Sequence, residues 1–233
     1  MLIIKGLIGG LFQVVLFGAL LLVPAGLVPG GTWYWERAIY FLAGYGIFVE
    51  VLIVWLCIVA PAGMEARFKK APRDEKRPRE DRILMPLIII FMLAVFIVIP
   101  LDVFYLHLLP KPGPTWSIIG VVLIAFGLLF NAGSIYANAY ITPSIQDQTG
   151  EGQKVADTGV YSIVRHPYYS SLIPIFVGGA IWLESWVGVI ALLPMLVVLI
   201  LRIGVEERTL KETLPGYPEY MEKVKYRLVP FVW

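Results

Sequence analysis

Four stretches of this chain, residues 7–28, 38–60, 83–109 and 116–141, are long apolar runs built mainly from Leu, Ile, Val, Phe and Ala. A helix rises about 1.5 Å per residue, so about 20 apolar residues cross a hydrocarbon core of about 30 Å. Inside that core every backbone N–H and C=O needs a partner, which only helices and closed barrels supply. The runs are continuous rather than alternating, which argues against a barrel. The expected fold class is all-α and integral to a membrane.

Two shorter runs, 168–183 and 186–201, span only about 24 Å each at the same rise. Pro174 and the Gly178-Gly179 pair interrupt the first and Pro194 the second. We expect a kinked helical hairpin that turns at Glu184-Ser185, with both ends on one side. The full expectation is four transmembrane helices, the C-terminal hairpin and a cytoplasmic cofactor-binding region. Residues 1–140 form the membrane scaffold and 141–233 the catalytic region.

Composition agrees with lipid as the main solvent: 58% of residues are hydrophobic, only 15% are charged, and mean hydropathy is +0.78. A soluble domain carries about a quarter charged residues. A net charge of +2 gives no basic excess for nucleic acid. The lone cysteine, Cys57, excludes a disulfide framework within the chain, and two histidines on opposite sides make a poor metal site. The first apolar run lacks a small-residue cleavage pattern before Pro24 and is read as a retained span.

Orientation follows from Lys and Arg. Alternating crossings put all but Arg37 and Lys111 of the 19 on one side, among them Lys5, Lys154 and the eight in residues 67–82. The positive side is cytoplasmic, so both termini are expected there. The 67–82 loop also holds Asp74, Glu75, Glu80 and Asp81, and reads as a solvated, topology-setting segment that touches anionic lipid heads. No internal repeat supports a transporter built on paired halves.

The polar residues that could do chemistry lie in the last third. Pro167 suits the first position of a helix, which leaves free N–H groups and a positive dipole end beside Arg165 and His166. Such a start binds anions; equally, Arg165 and His166 could mark the membrane interface by snorkelling. Arg202 and Glu206, four apart, share a helix face and either pair with each other or point at one ligand. Both clusters fall at the same end of the hairpin, within reach of one pocket, and Glu207 adds a second carboxylate. Glu50, within the second span, calls for a partner or a protonated state. Gly133, Ser134, Ala137 and Ala139 read as close-packing residues of the fourth span, with Asn131 and Asn138 as interhelical hydrogen-bonding groups. Asp102 and His107 read as interfacial.

Taken in order, Gly159-Val160-Tyr161, Arg165-His166-Pro167-Tyr168-Tyr169, an apolar hairpin, Arg202 with Glu206-Glu207, Tyr217-Pro218-Glu219-Tyr220 and Tyr226-Arg227-Leu228-Val229-Pro230 resemble the isoprenylcysteine carboxyl methyltransferase family and its phospholipid-methyltransferase relatives. The resemblance covers about residues 141–233. It implies S-adenosylmethionine as methyl donor and S-adenosylhomocysteine as product. It assigns cofactor contacts to Gln146, Gln153, Lys154, Val155, Ala156, Tyr161, His166, Pro167, Tyr168, Tyr169 and Glu206. Arg202 would face a lipophilic or amphiphilic acceptor, such as an isoprenylcysteine carboxylate or a lipid head group. The catalytic set is then Arg165, Arg202, Glu206 and Glu207, with no metal. Two positions depart from the pattern. Ser171 stands where the family has glycine, which predicts a looser helix approach. Gln153-Lys154-Val155-Ala156 replaces a His-x-Leu-Val segment. The rival readings are a sterol C14-reductase-like enzyme using NADPH, and a non-enzymatic membrane scaffold.

Overall fold

The structure is a computed structural model that describes residues 1–68, 77–145 and 147–233. Lys69, Lys70, Arg73, Asp74, Glu75, Lys76 and Gln146 lie outside the described residues. Among those described there are helices and no strands. The chain is an all-helical, multi-pass membrane protein, and among the described residues five helical segments are long and apolar enough to cross a bilayer: Leu2–Leu27, Glu36–Val59, Asp81–Leu106, Pro114–Ala137 and Trp186–Thr213.

The first two spans are α1 (Leu2–Leu27) and α2 (Glu36–Val59). A short α3 (Pro61–Phe68) follows, then α4 (Asp81–Leu101), which continues as a π-turn over Asp102–Leu106, and α5 (Pro114–Ala137). The hairpin is α6 (Pro167–Trp182), followed by the short α7 (Trp186–Ile190) and the long α8 (Leu193–Thr213); α9 (Tyr217–Lys223) closes the order. The four long runs expected from sequence are thus α1, α2, α4 with its π-turn, and α5.

The hairpin's second limb brings the helical segments of membrane-spanning length among the described residues to five, where four were expected. The apolar run stops at Leu201, yet the helix continues to Thr213. It can do so because Arg202 and Glu207 are buried inside the protein with charged partners rather than left in lipid. Pro194 interrupts this limb as expected: it has no N–H to donate to the Ile190 carbonyl, α7 stops at Ile190, and the helix restarts at Leu193 with Pro194 in its first turn. The Gly178-Gly179 pair, by contrast, does not interrupt α6.

What Gly178 does instead is let α5 and α6 touch backbone to backbone. A Cβ on Gly178 would lie 2.5 Å from the Gly120 carbonyl oxygen, and one on Gly127 would lie 2.9 Å from the Ser171 carbonyl oxygen. Small residues allow this approach in a membrane, where dispersion contacts rather than water exclusion hold helices together. The approach is therefore close at Ser171, not loosened by it. The Ser171 side chain is buried, its Oγ donating to the Tyr168 carbonyl at 2.6 Å and accepting from Asn131 Nδ2 at 2.9 Å. Asn138 likewise donates to the Tyr161 hydroxyl at 3.2 Å. The expected packing residues Gly133 and Ala139 instead approach Val160 and Gly63.

On the side away from Arg165, the hairpin turn is tied to the ends of other spans. Glu184, with φ of 66°, pairs with Arg37 at 3.2 Å and Lys111 at 3.8 Å. Arg37 also donates to Ser117 Oγ and the Trp182 carbonyl, each at 2.9 Å. Ser185 Oγ caps α7 by accepting from Gly188 N–H at 2.8 Å, and donates to Asp102 at 2.7 Å. Because Arg37 lies in the first turn of α2 and Ser117 in the first turn of α5, the turn reaches the far ends of those spans.

The core collects residues of α1, α2, α4, α6 and α8, including Phe17, Phe41, Val95, Phe96, Ala180, Leu199 and Ile203. Phe17 stacks on Phe96 at 4.4 Å, and Phe96 meets Phe176 edge-on at 6.1 Å. The outward faces are apolar as well, with Phe12, Ile47, Ile90, Val122, Phe126 and Val197 exposed, as lipid contact requires.

Candidate active site

A cavity of about 620 Å³ runs through the helical bundle, within the roughly 300–1,000 Å³ of small-molecule sites. Its walls change character along its length. One end is lined by Gln148, Gln153, Lys154, Tyr161, Glu206 and Tyr217; the other by Phe41, Met92, Phe96, Phe176, Gly179 and Leu183. Arg165, His166, Tyr168, Tyr169 and Arg202 stand between them.

Local structure explains how each polar side chain arrives. Pro167 begins α6, so His166 is its N-cap residue and Tyr168 and Tyr169 lie in its first turn. The preceding backbone is clasped by the tail: Arg165 N–H donates to the Tyr226 carbonyl at 2.9 Å and His166 N–H to that of Arg227 at 3.0 Å. Arg165 Nη1 adds hydrogen bonds to the carbonyls of Val224 at 2.7 Å and Lys225 at 2.9 Å. Ser170 Oγ donates to the Leu228 carbonyl at 2.7 Å. The loop is stiffened by Gln148, which donates from Nε2 to the Tyr140 carbonyl at 2.9 Å and takes Gln153 Oε1 on its own N–H at 3.2 Å.

Two charged clusters flank the cavity. In one, buried Glu207 accepts from Arg165 at 2.7 Å and Arg227 at 2.9 Å and lies 3.3 Å from His166 Nε2. In the other, Arg202, 3% exposed, spreads its donors over three acceptors: Asp81 Oδ1 at 2.8 Å, the Pro143 carbonyl at 2.6 Å, and the Tyr169 hydroxyl. The Tyr169 hydroxyl donates onward to Glu206 Oε2 at 2.7 Å. Arg202 and Glu206 are therefore joined through Tyr169 and not by a direct pair. His166 stacks parallel to Tyr169 at 5.8 Å.

Of the residues singled out from sequence, Gln153, Lys154, Val155, Ala156, Tyr161, Arg165, His166, Tyr168, Tyr169, Arg202 and Glu206 all line this one cavity. Pro167 is buried at the helix start and does not line it; Glu207 faces the clasp. Gln146 is outside the described residues. Sequence reading missed Gln148, Leu210 and Leu214 on the wall, and Asp81, which had been read as part of a solvated loop. Asp81 is fully buried, holding Arg202, Arg77 Nε at 2.6 Å and the Ile145 N–H at 3.2 Å. An Arg77–Asp81 pair four apart reads as a surface ion pair, and the partner that buries it, Arg202, is 121 residues away. Tyr217 and Tyr220 were visible in a motif but not assigned a place. Burial, with Glu207 and Glu206 nearby, holds the Tyr217 phenol above its ordinary range. Burial and Tyr161 do the same for Tyr220, whose hydroxyl donates to the Tyr161 carbonyl at 2.7 Å.

Residues 115–215, which hold α5, the loop, the hairpin and most of the cavity's polar wall, match the family model described as phospholipid methyltransferase. The match covers less than half of the chain. No curated protein matches the chain. The match supports a membrane methyltransferase. The matched residues do not include α1, α2, α4 or α9, so Asp81, Tyr217 and the apolar wall from α2 and α4 lie outside them.

Proposed function

We propose that the protein transfers a methyl group from S-adenosylmethionine to a lipophilic acceptor whose reactive head lies at the cytoplasmic face. The observation that carries this reading is a cavity that joins a polar mouth to an apolar chamber. A water-soluble acceptor would need no wall of Phe41, Met92, Phe96 and Phe176.

The donor set suits the cofactor. Val155, Leu210 and Leu214 with Tyr217 offer apolar and aromatic surface for a purine. The Glu206 carboxylate and the faces of Tyr168 and Tyr169 suit a sulfonium. When bound, S-adenosylmethionine supplies a methyl group already activated on sulfur. The chain's own residues then have to bind, orient and exclude water, and such positioning carries most of the rate. Glu206 is fixed by Tyr169, Tyr169 by Arg202, and the helix start at Pro167 by the tail, so the wall is rigid where orientation matters. A carboxylate head is already a nucleophile; an amine or thiol head has to be deprotonated, and Glu206 is the base on the cavity wall. Arg165 and Glu207 hold the clasp that keeps His166 in place.

The assay supplies labelled S-adenosylmethionine to membranes containing the full chain. Label in organic-extractable lipid or a prenylated peptide mimic is expected. Calorimetry with S-adenosylhomocysteine and with NADPH separates this reading from a reductase: only the first should bind, and binding of neither would leave the scaffold reading standing.

A further inference from the structure

We propose that Asp81 is a positioning residue of this site, acting on Glu206 through Arg202 and Tyr169. The inference rests on the reading that Glu206 contacts the methyl donor. Asp81 lies outside the matched family region, at the start of α4, yet its carboxylate is fully buried against α8. From it an unbroken chain of contacts runs to the cavity: Asp81 to Arg202 at 2.8 Å, Arg202 to the Tyr169 hydroxyl, and that hydroxyl to Glu206 at 2.7 Å.

The directions of these bonds give the chain its logic. A tyrosine hydroxyl has one hydrogen to donate. Because Arg202 donates to the Tyr169 oxygen, that hydrogen is left for Glu206, which fixes one carboxylate oxygen and leaves the second for a ligand. Arg202 can hold this pose only while its own charge is answered and its fork is aimed. Asp81 does both at Nε, and the Pro143 carbonyl receives the far arm at 2.6 Å. Arg77 and the Ile145 N–H hold Asp81 in turn, so no freedom remains at the anchored end. A guanidinium committed to three partners is also poorly placed to clamp an acceptor carboxylate, which makes orientation its contribution.

The test is a double-mutant cycle read by calorimetric binding of S-adenosylhomocysteine to the full detergent-solubilised chain. Asp81→Asn, which keeps shape and removes charge, should weaken binding about tenfold in the wild-type background and less than twofold in a Glu206→Gln background. Tyr169→Phe cuts the chain one link later and leaves the Asp81–Arg202 pair intact, and should show the same loss of effect beside Glu206→Gln; if Asp81→Asn does not fold, the same cycle is run with Asp81→Glu, which keeps the charge and shifts the carboxylate by one carbon, and the same comparison of backgrounds decides. Equal losses in both backgrounds would mean that Asp81 only supports the fold, and would overturn the proposal. Absence of S-adenosylhomocysteine binding by the wild type would instead remove the donor reading on which it rests.

Discussion

Glu206 and Glu207 are adjacent on α8, and one helical step of about 100° sends them to different tasks. Glu207 faces two arginines and a histidine in the tail clasp; Glu206 faces the cavity. Their substitutions should separate accordingly. Glu207→Ala leaves the buried Arg165 without its carboxylate and should cost about 3–5 kcal/mol of stability, read by thermal unfolding in detergent. Glu206→Ala should leave that unfolding nearly unchanged and weaken S-adenosylhomocysteine binding by about 1.5–3 kcal/mol, the worth of one charged hydrogen bond. A large loss of stability in Glu206→Ala with unaltered affinity would reverse the two roles. Arg202→Lys keeps the charge but replaces a planar fork with a point donor. It cannot serve Asp81, Pro143 and Tyr169 together, so it should impair both stability and donor binding.

At the scale of helices, Gly178 and Gly179 repeat this division one level up. Gly178 faces α5, where an added Cβ would stand 2.5 Å from a carbonyl oxygen that cannot retreat. Gly178→Leu should therefore destabilise the α5/α6 pair by at least the roughly 1–3 kcal/mol typical of overpacking. Gly179 lines the cavity, and its nearest neighbour is the Phe41 ring, 3.4 Å from an added Cβ. Gly179→Leu should fold and yet fill the apolar end, lowering methyl incorporation into long-chain acceptors while leaving S-adenosylhomocysteine affinity within about twofold. Equal loss of both activities would show that the apolar end takes no part in acceptor binding.

At the scale of the whole molecule, the charge asymmetry predicts a sidedness that places the cavity's polar mouth in the cytoplasm. Single cysteines at Lys154 and Lys225 in a Cys57→Ser background should resist an impermeant thiol reagent applied from outside, and one at Lys111 should react. Strong labelling at Lys154 would invert the orientation and with it the side from which the methyl donor arrives.

Length and apolarity were enough to mark α1, α2, α4 and α5 and to make the chain an all-α membrane protein, because lipid leaves so few ways to satisfy a backbone. Proline at a helix start, and a hairpin whose two polar mouths fall on one side, were enough to bring His166, Tyr169, Arg202 and Glu206 near one another. These are properties of residues close in sequence or tied by topology. What only the tertiary structure decided depends on contacts between distant segments. The long reach of α8 past Leu201 is one such case, since buried charges continue a helix only when their partners are present. The burial of Asp81 is another, because an acidic residue in a basic loop looks solvated until Arg202 meets it from another helix. The third is the separation of Glu206 from Glu207. Sequence places both carboxylates at the site's edge, and the rotation of α8 against α6 and the tail determines which one faces the cavity.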